Sequence, residues 1–579
     1  MRSAVLAALL VAITAVHVPS AQRAPYRTLN DTFAPAQFTS LPDWNRRAAH
    51  IREHILASAG LLPMPERTPL GSQVFGDVTH DDYVVSKAYF EALPGFFVTG
   101  NLYRPSGSGP FPAILSPHGH WAYGRLENTA IVSVPGRAIS LARQGFVVFT
   151  YDLIGYNDSR QLQHRQFGGP REKLWGLSVA GLQLWSGVRG LDFLESLPYV
   201  RRDAIGVTGA SGGGTQTFLL AAIDERVKAA APVNMISLHM QGGCLCENLP
   251  GLRLDTNNVE IAATIAPRPL LMVSATGDWT ANTMEREYPA VRALYSMMGA
   301  ADRVHAVRFD AVHNYNRNSR EAVYAWMARW LQGAPADVSR SESAFTPEPL
   351  PDLMVFHQRP LPPDAVTADQ LVANWIAAAQ RQLPGTSSEV RARALRHALN
   401  IDKASAAGSR SRPGRRRTVL IAGIDAGIGQ RLRSGGFTVR NVAFTPFDAA
   451  EAAKIAHFDT YNRTAASQRV ADIVAELRAF PDAALVAEGD AALAGLLAAA
   501  IEPGRTAIFD VAGFDTTSDA AFVERLYMPG LRRAGDLETA AALAGDGVVI
   551  HNAGDRFTLK HAGVRREKLS VREIVSLLR

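Results

Sequence analysis

Short apolar runs and helix-length amphipathic segments alternate along the first part of the chain. The segment 44–62 has the apolar spacing of a helix, and β-like runs follow at 82–92, 96–103 and 112–115. Further strand-length apolar runs lie at 146–151, 205–208, 229–232, 269–274 and 304–309. Helical patterns such as 182–197 separate them, and this alternation predicts a mostly parallel sheet of about eight strands with helices on both faces.

The pattern changes after a helical segment at 320–331. Two helical patterns, at 368–382 and 388–399, and a polar basic run at 403–417 indicate a connector and a linker. A second alternation of strands and helices begins at Thr418. The predicted organisation is a signal peptide (1–21), a first α/β domain (22–335), a helical connector with a basic linker (336–417) and a second α/β domain (418–579).

The N-terminal segment has the pattern of a secretory signal peptide. Arg2 gives a positive start, 4–16 is a short apolar run, and 18–21 offers small residues for cleavage. The apolar run is shorter than the length that a transmembrane helix needs, and an uncleaved anchor is the alternative. We therefore predict a secreted or periplasmic protein with no stable membrane span.

Composition and charge argue against a nucleic-acid partner. The chain of 579 residues has 60 Lys and Arg against 54 Asp and Glu, and part of the net charge of +6 lies in the run 410–417. A basic bias this small and diffuse is typical of a solvated surface. The length exceeds what one hydrophobic core normally serves, which agrees with two domains and leaves the oligomeric state open.

The chain has only two cysteines, Cys244 and Cys246. An exported protein can hold a disulfide across this short spacing, and two free thiols are the equal alternative. Two cysteines without further ligands in the sequence nearby do not form a zinc site, because zinc usually takes four. We therefore expect no metal and no cofactor.

A candidate nucleophile lies in the sequence Gly-Ala-Ser-Gly-Gly at 209–213. The motif follows the apolar strand pattern 205–208 and opens a helical pattern, which is the setting of a nucleophile elbow. The small neighbours allow the strand and helix to approach closely, and the turn lifts the hydroxyl of Ser211 above the sheet. The alternative is a glycine-rich turn without chemistry.

A serine hydroxyl needs a base, and the base needs an acid to orient it. Asp278 follows the strand pattern 269–274, and His313 follows the strand pattern 304–309. Loops after parallel strands meet at one edge of a sheet, so these residues can converge on Ser211. Among the other candidate acids, Asp302 precedes its strand and Asp310 remains a competitor.

The predicted oxyanion hole takes one backbone N–H from Gly212, beside the nucleophile. The second donor is expected from the loop after the strand pattern 112–115, which reads Ser-Pro-His-Gly-His-Trp at 116–121. We assign it to the backbone N–H of His120 and expect His118 to hold the loop by hydrogen bonds. The pair is not expected to bind a metal, because further ligands are not apparent.

Four aromatic residues lie in loops near the predicted catalytic loops, and sugars stack on aromatic faces. These candidate substrate-binding residues are Trp121, Tyr156, Trp175 and Trp279. Ordinary packing of large side chains under loops is the alternative for each of them. The segment 235–257 is predicted to be a loop that shapes the pocket.

About half of the chain, 41–331, resembles the acetyl xylan esterase and dienelactone-hydrolase-like branch of the α/β-hydrolases. The resemblance rests on PHGH (117–120), TYDLIGYNDS (150–159), GVTGASGGGTQT (206–217), ATGDWT (275–280) and DAVHNYN (310–316). It implies an α/β-hydrolase fold and a serine carboxylic-ester hydrolase that deacetylates a carbohydrate, with a small-molecule or polysaccharide ester as substrate. The whole layout also resembles long exported bacterial hydrolases with a degenerate C-terminal half.

The second domain echoes part of the first. Segments 189–223 and 469–501 both predict helix, strand, tight turn and an Ala-rich helix that ends Ala-Ala-Ile. Aligning these ends places Gly489 opposite Ser211. We interpret 418–579 as a degenerate, non-catalytic α/β-hydrolase-like domain, and the alternative is that two α/β domains share a common pattern.

Two other functions stay open at this point. A prolyl oligopeptidase-like serine peptidase would use the same fold and triad, but it usually carries a β-propeller repeat that is not apparent in this sequence. The glycine spacing at 423–429 is similar to a nucleotide-binding turn, although no acidic residue ends the next strand pattern. The C-terminal half is otherwise a candidate polysaccharide-docking module.

Overall fold

The computed structural model describes residues 26–35, 37–402, 417–560 and 563–579. The predicted signal peptide and nearly all of the predicted basic linker at 403–417 therefore lie outside the described residues. Among the described residues, no helix combines the length and the apolar character that a membrane crossing requires.

The larger sheet has nine strands in the described chain, in the order β1-β2-β3-β5-β4-β6-β7-β8-β9. The strands are β1 Gln73–Thr79, β2 Tyr83–Leu93, β3 Phe96–Pro105, β4 Phe111–Pro117, β5 Val147–Tyr151, β6 Val200–Ala210, β7 Val227–Val233, β8 Leu270–Gly277 and β9 Val304–Val312. The pairs from β1 to β5 are antiparallel, and the pairs from β5 through β4 to β9 are parallel. The sequence predicts about eight strands; it does not reveal β1, because this edge strand is mostly exposed and lacks an apolar run.

Helices cover both faces of this sheet. They are α1 Leu41–Ser58, α2 Val134–Arg143, α3 Pro170–Leu174, α4 Val179–Ser196, α5 Gly212–Ile223, α6 Asn258–Ala263, α7 Tyr288–Met297 and α8 Arg317–Gln332. Successive residues of a strand point to opposite faces, so Leu115 joins the core under α4 and α5 while Ile114 joins the core under α2 and α8. Burial on both faces explains the continuous apolar runs of the central strands.

Three helices connect the two domains: α9 Leu350–Leu353, α10 Ala368–Gln382 and α11 Ser388–Leu399. Trp375 of α10 packs in the core of the first domain. Leu395 of α11 packs in the core of the second. The connector is therefore part of both hydrophobic cores.

The second domain contains a five-stranded parallel sheet in the order β11-β10-β12-β13-β14. Its strands are β10 Thr418–Ala422, β11 Thr438–Asn441, β12 Ala484–Glu488, β13 Ala507–Asp510 and β14 Val548–His551. Its helices are α12 Ala426–Ser434, α13 Ala449–Ala452, α14 Phe458–Tyr461, α15 Ala465–Ala479, α16 Asp490–Ile501, α17 Asp519–Arg525, α18 Asp536–Ala544 and α19 Val571–Leu578. The predicted fold class, a mostly parallel sheet followed by a second α/β domain, is confirmed.

Candidate active site

Ser211 occupies a strained turn between β6 and α5. Its backbone angles are φ 57° and ψ −124°, a region that a residue with a side chain rarely adopts. The neighbouring glycines leave room for the loop after β4: a Cβ at Gly209 would lie 2.5 Å from the carbonyl oxygen of Pro117, and one at Gly213 would lie 2.6 Å from it. These contacts explain why the turn needs small residues on both sides of the serine.

Asp278 and His313 form a hydrogen-bonded pair at the ends of β8 and β9. His313 Nδ1 lies 2.8 Å from Asp278 Oδ2, so the ring donates its Nδ1 proton to this carboxylate. Asp278 Oδ1 accepts from the backbone N–H and the hydroxyl of Thr280, at 2.7 and 2.5 Å. Two donors on one oxygen and the ring on the other hold the carboxylate in one orientation. His313 Nε2 is buried without a hydrogen-bond partner among the described residues and can accept a proton.

The other candidate acids do not contact this ring. Asp310 Oδ1 accepts a hydrogen bond of 2.6 Å from the hydroxyl of Thr276. Asp302 lies in a short turn before β9, at the opposite end of the strand from His313. The geometry therefore singles out Asp278 as the partner of the imidazole.

The loop that carries His313 is anchored on both sides of the serine turn. Asn234 donates from Nδ2 to the carbonyl of Asn314 at 3.0 Å, and the preceding residue, Val233, accepts from the Ser211 N–H at 3.2 Å. One residue further, the Tyr315 hydroxyl lies 2.7 Å from the hydroxyl of Thr208 in β6. The structure thus brings the loops of the three predicted triad residues to one edge of the sheet. No hydrogen bond joins Ser211 Oγ directly to His313 Nε2 in the described chain.

The loop after β4 lies against the same turn. A Cβ at Gly119 would lie 2.8 Å from the carbonyl oxygen of Ala210, and one at Gly212 would lie 2.6 Å from the ring of His120. Gly212 is the first residue of α5, where a backbone N–H has no acceptor inside the helix. The two predicted oxyanion-hole residues, Gly212 and His120, are therefore neighbours.

His118 holds this loop in place. Its Nδ1 lies 2.6 Å from the carbonyl of Gly119, and its Nε2 accepts from the Leu153 N–H at 3.0 Å. Full burial lowers the pKa of His118 to about 3, which keeps the ring neutral and matches one donor and one acceptor nitrogen. The ring therefore ties the loops after β4 and β5 together.

A buried ion-pair group that the sequence does not reveal supports the loop after β5. Arg125 Nη2 contacts Asp158 Oδ2 at 2.5 Å, and Arg125 Nε lies 3.1 Å from Asp152 Oδ1, with all three side chains inaccessible to solvent. Burial raises the pKa of Asp152 to about 6, although the Arg125 charge opposes this shift. Asp158 also accepts from the backbone N–H groups of Val355 and Phe356 in the connector.

Two of the four predicted substrate-binding aromatics flank the base. The ring centroids of Trp279 and Trp121 lie 4.4 and 5.7 Å from that of His313. The indole N–H of Trp279 is buried without a hydrogen-bond partner among the described residues. The ring of Tyr156 lies elsewhere in these loops, 4.9 Å from that of His118 and 5.1 Å from that of His164.

The structure buries Trp175 against the second domain, which contradicts its predicted role in substrate binding. Its side chain is only 2% exposed, and its Nε1 donates to Asp519 of the second domain at 2.9 Å. The guanidinium of Arg532 stacks over the ring, 4.7 Å from its centroid. Trp175 instead packs in the contact between the two domains.

The predicted loop 235–257 lies between β7 and α6. It contains one 3₁₀ turn, Leu245–Glu247, and otherwise consists of turns and irregular structure. It carries both cysteines, which are free thiols in the structure. The structure therefore contains no disulfide between Cys244 and Cys246.

No model of a protein family matches this chain. The hydrolase YtaP of Bacillus subtilis (strain 168) is 25% identical over 292 residues, which are 46% of this chain and 95% of YtaP. Bis(hydroxyethyl) terephthalate hydrolase of Streptomyces coelicolor is 26% identical over 265 residues, covering 45% of this chain and 70% of that protein. The solved structure of methylesterase BT1017 is 30% identical with a TM-score of 0.52, and the match covers 60% of this chain and 78% of that one.

Proposed function

We propose that this chain, which belongs to the α/β-hydrolase superfamily and is a serine-type carboxylic ester hydrolase, uses Ser211, His313 and Asp278 as its catalytic triad. The observation that carries the proposal is the pair of His313 and Asp278, joined at 2.8 Å beside a strained serine turn. A base with one nitrogen held by a carboxylate and the other unpartnered is arranged to take a proton.

In the first step, His313 Nε2 removes the proton of Ser211 while Oγ attacks the ester carbonyl carbon. The imidazolium that forms is stabilised by Asp278, and it then gives its proton to the leaving alcohol. Water attacks the acyl-enzyme with His313 again as the base, and the acid product leaves. The hydrogen bond from Ser211 to His313 needs to form in the substrate complex, since such bonds are often long before substrate binds.

The oxyanion that develops on the carbonyl oxygen needs fixed donors. We assign these to the backbone N–H groups of Gly212 and His120. Their proximity supports this assignment, because the His120 ring lies beside Gly212, in the space that a Cβ of this residue would occupy. Each donor would contribute about 3 kcal/mol to stabilising the transition state.

The substrate is proposed to be a carbohydrate ester, and the reaction its deacetylation. Trp279 and Trp121 support this, because their rings flank the base where an aromatic face could stack on a sugar. Hydrolysis of a methyl ester is the second candidate, favoured by the 30% identity to methylesterase BT1017. A polymeric substrate also agrees with export, which the signal-like pattern of 1–21 predicts.

An active-site probe and an ester panel test these assignments. A fluorophosphonate should modify wild-type protein at one residue, and Ser211→Ala should lose labelling and nearly all esterase turnover. Ser296→Ala, at an exposed serine of α7, is the control and should keep both. Labelling that persists in Ser211→Ala would refute the triad.

The panel compares acetylated xylo-oligosaccharides, methyl galacturonate oligomers, glucuronoyl and feruloyl esters, and peptide anilides. A kcat/KM highest for the acetylated sugars supports deacetylation. Preference for the methyl esters would replace it with the second candidate, and preference for anilides would indicate a peptidase.

A further inference from the structure

Two histidines and two cysteines meet beside the nucleophile turn. One donor atom of each of His120, His164, Cys244 and Cys246 lies within 4.8 Å of the other three. His120 Nε2 is 3.0 Å from Cys246 Sγ, and His164 Nε2 is 3.3 Å from Cys244 Sγ. We propose that these four side chains bind one zinc ion as a closed, tetrahedral Cys2His2 site.

The spacing of the four atoms suits this ion. Zinc holds imidazole nitrogens at about 2.0–2.1 Å and thiolate sulfurs at about 2.3 Å, which separates tetrahedral ligand atoms by about 3.3–3.8 Å. The two nitrogen–sulfur pairs are 3.0 and 3.3 Å apart, and no two of the four atoms are more than 4.8 Å apart, so the observed distances lie close to that range. Small side-chain rotations would therefore complete the coordination, and two sulfur ligands favour zinc over magnesium or calcium.

The second nitrogen of each imidazole faces a group that orients it for a metal. His164 Nδ1 donates to the carbonyl of Ile154 at 2.7 Å, which leaves the Nε2 lone pair facing Cys244. His120 Nδ1 faces the buried carboxylate of Glu247, 3.9 Å away. Metal-binding histidines generally carry such a carbonyl or carboxylate partner on the nitrogen that does not bind the metal.

Side-chain hydrogen bonds hold the loop around the cysteines. Glu247 Oε2 accepts from the backbone N–H groups of Gly243 and Cys244, at 2.7 and 2.9 Å. Asn248 donates to the carbonyls of Gly242 and Cys244, at 2.9 and 2.8 Å. The same carboxylate therefore shapes the cysteine turn with one oxygen and faces the His120 ring with the other.

The position of the site indicates what the ion would do. It joins the loops after β4, β5 and β7, which carry His120, His164 and the two cysteines. Four protein ligands leave no open position, so the ion would be structural and would not activate water. Resting on the proposed function, we infer that it positions the backbone of His120, the second oxyanion donor, against Gly212.

Metal content tests the binding claim without reference to activity. The full-length protein, reduced and stripped with a chelator, is dialysed against zinc, and bound metal is measured by mass spectrometry. We expect about one zinc per chain in wild type and in Ser211→Ala. Cys244→Ser and His164→Gln should each lower zinc affinity at least tenfold, while His357→Gln, at an exposed position, should not change it.

Cobalt substitution reports the ligand set directly. Cobalt bound to wild-type protein should show the intense visible bands of tetrahedral coordination and a thiolate charge-transfer band in the near ultraviolet. Cys244→Ser should weaken the charge-transfer band, and far-ultraviolet circular dichroism checks that each variant is folded. Wild type alone suffices for the main result if a variant fails to fold.

Three results would overturn the site. These are reduced wild-type protein that holds no zinc and gives no cobalt bands, full zinc affinity in both ligand variants, or a Cys244–Cys246 disulfide that persists when the protein is purified with zinc. Failure of the proposed triad gives a different result. If Ser211→Ala keeps esterase activity and binds zinc normally, the catalytic proposal is refuted and the zinc site is not. Stripping zinc should lower kcat more than it raises KM.

Discussion

Ser211 and Gly489 adopt the same unusual backbone conformation in the two domains. Ser211 has φ 57° and ψ −124° between β6 and α5, and Gly489 has φ 65° and ψ −133° between β12 and α16. The alignment of the two Ala-rich helices predicts that these residues correspond. The second domain thus keeps the shape of a nucleophile turn and lacks the hydroxyl, which supports its interpretation as a degenerate copy.

This relationship predicts opposite effects of substitution on stability. A residue with a side chain in this region stores about 1–3 kcal/mol of strain, from which glycine is free. Ser211→Gly should therefore be more stable than Ser211→Ala by about 1 kcal/mol, after the entropy of glycine is subtracted. Gly489→Ala should lose about 1–2 kcal/mol by strain alone, because no atom of the described residues, apart from the adjoining chain, lies within 4 Å of the added Cβ.

Calorimetry of the three variants measures these differences as shifts of the melting temperature. Gly385→Ala is the matched control for Gly489→Ala, because Gly385 is exposed and has an open Cβ position among the described residues but no positive φ, so the added Cβ should cause no strain. Equal melting temperatures for Ser211→Gly and Ser211→Ala would contradict the strain at the turn.

Asp278→Asn should reduce kcat for ester hydrolysis about 10⁴-fold, because an amide that donates to the ring favours the wrong tautomer of His313. Folding should be unaffected, since the side chain keeps its shape. Asp310→Asn is the matched control, because its carboxylate bonds to Thr276 and not to the ring. Steady-state kinetics on a small ester checks both, and a larger loss in Asp310→Asn would reassign the acid.

Trp279→Ala and Trp121→Ala should each raise the KM for carbohydrate esters about tenfold. This corresponds to a loss of about 1.4 kcal/mol of stacking energy. Hydrolysis of p-nitrophenyl acetate should change much less, because it has no sugar to stack. Trp175→Phe should instead lower the melting temperature with KM unchanged, since it removes the hydrogen bond to Asp519. An equal rise of KM for the carbohydrate ester and for p-nitrophenyl acetate in Trp279→Ala and Trp121→Ala would contradict sugar stacking.

His54 predicts a loss of stability in mild acid. Burial lowers the pKa of this histidine to about 3, and its Nε2 lies 3.1 Å from the carbonyl of Gly251. The unfolded chain takes up a proton near pH 6.5, so this stability is present above that pH and is lost as the pH falls toward 3. Each pH unit in that window costs up to about 1.4 kcal/mol.

Urea unfolding of wild type and His54→Gln at pH 7 and pH 5 measures this contribution. The free energy of unfolding of wild type, relative to that of His54→Gln, should be about 2 kcal/mol lower at pH 5 than at pH 7. Asp255 opposes part of the shift, because its carboxylate lies 4.0 Å from His54. The exposed His357→Gln serves as control, and an unchanged difference in His54→Gln would exclude His54 as the source.

Local patterns in the sequence are enough to predict the fold class, the turn at Ser211 and the loops of Asp278 and His313. Each of these depends on short-range rules: apolar runs for buried strands, small residues where backbones touch, and polar residues after strand ends. The exposed edge strand β1 has no such pattern, so the sequence does not predict it. The prediction for Trp175 is wrong because the sequence does not distinguish an aromatic residue that faces a pocket from one that packs in a domain contact.

Only the tertiary structure decided which distant residues meet. His164 lies 44 positions after His120 and 80 before Cys244, spacings that no local rule connects, and Arg125 likewise reaches Asp158 only in the folded chain. The amino-acid sequence by itself determined the strands, turns and reactive side chains, because these follow from interactions between near neighbours. Packing of the helices and sheets determined the triad pair and the Cys2His2 group, because burial fixes distances between residues that the chain leaves far apart.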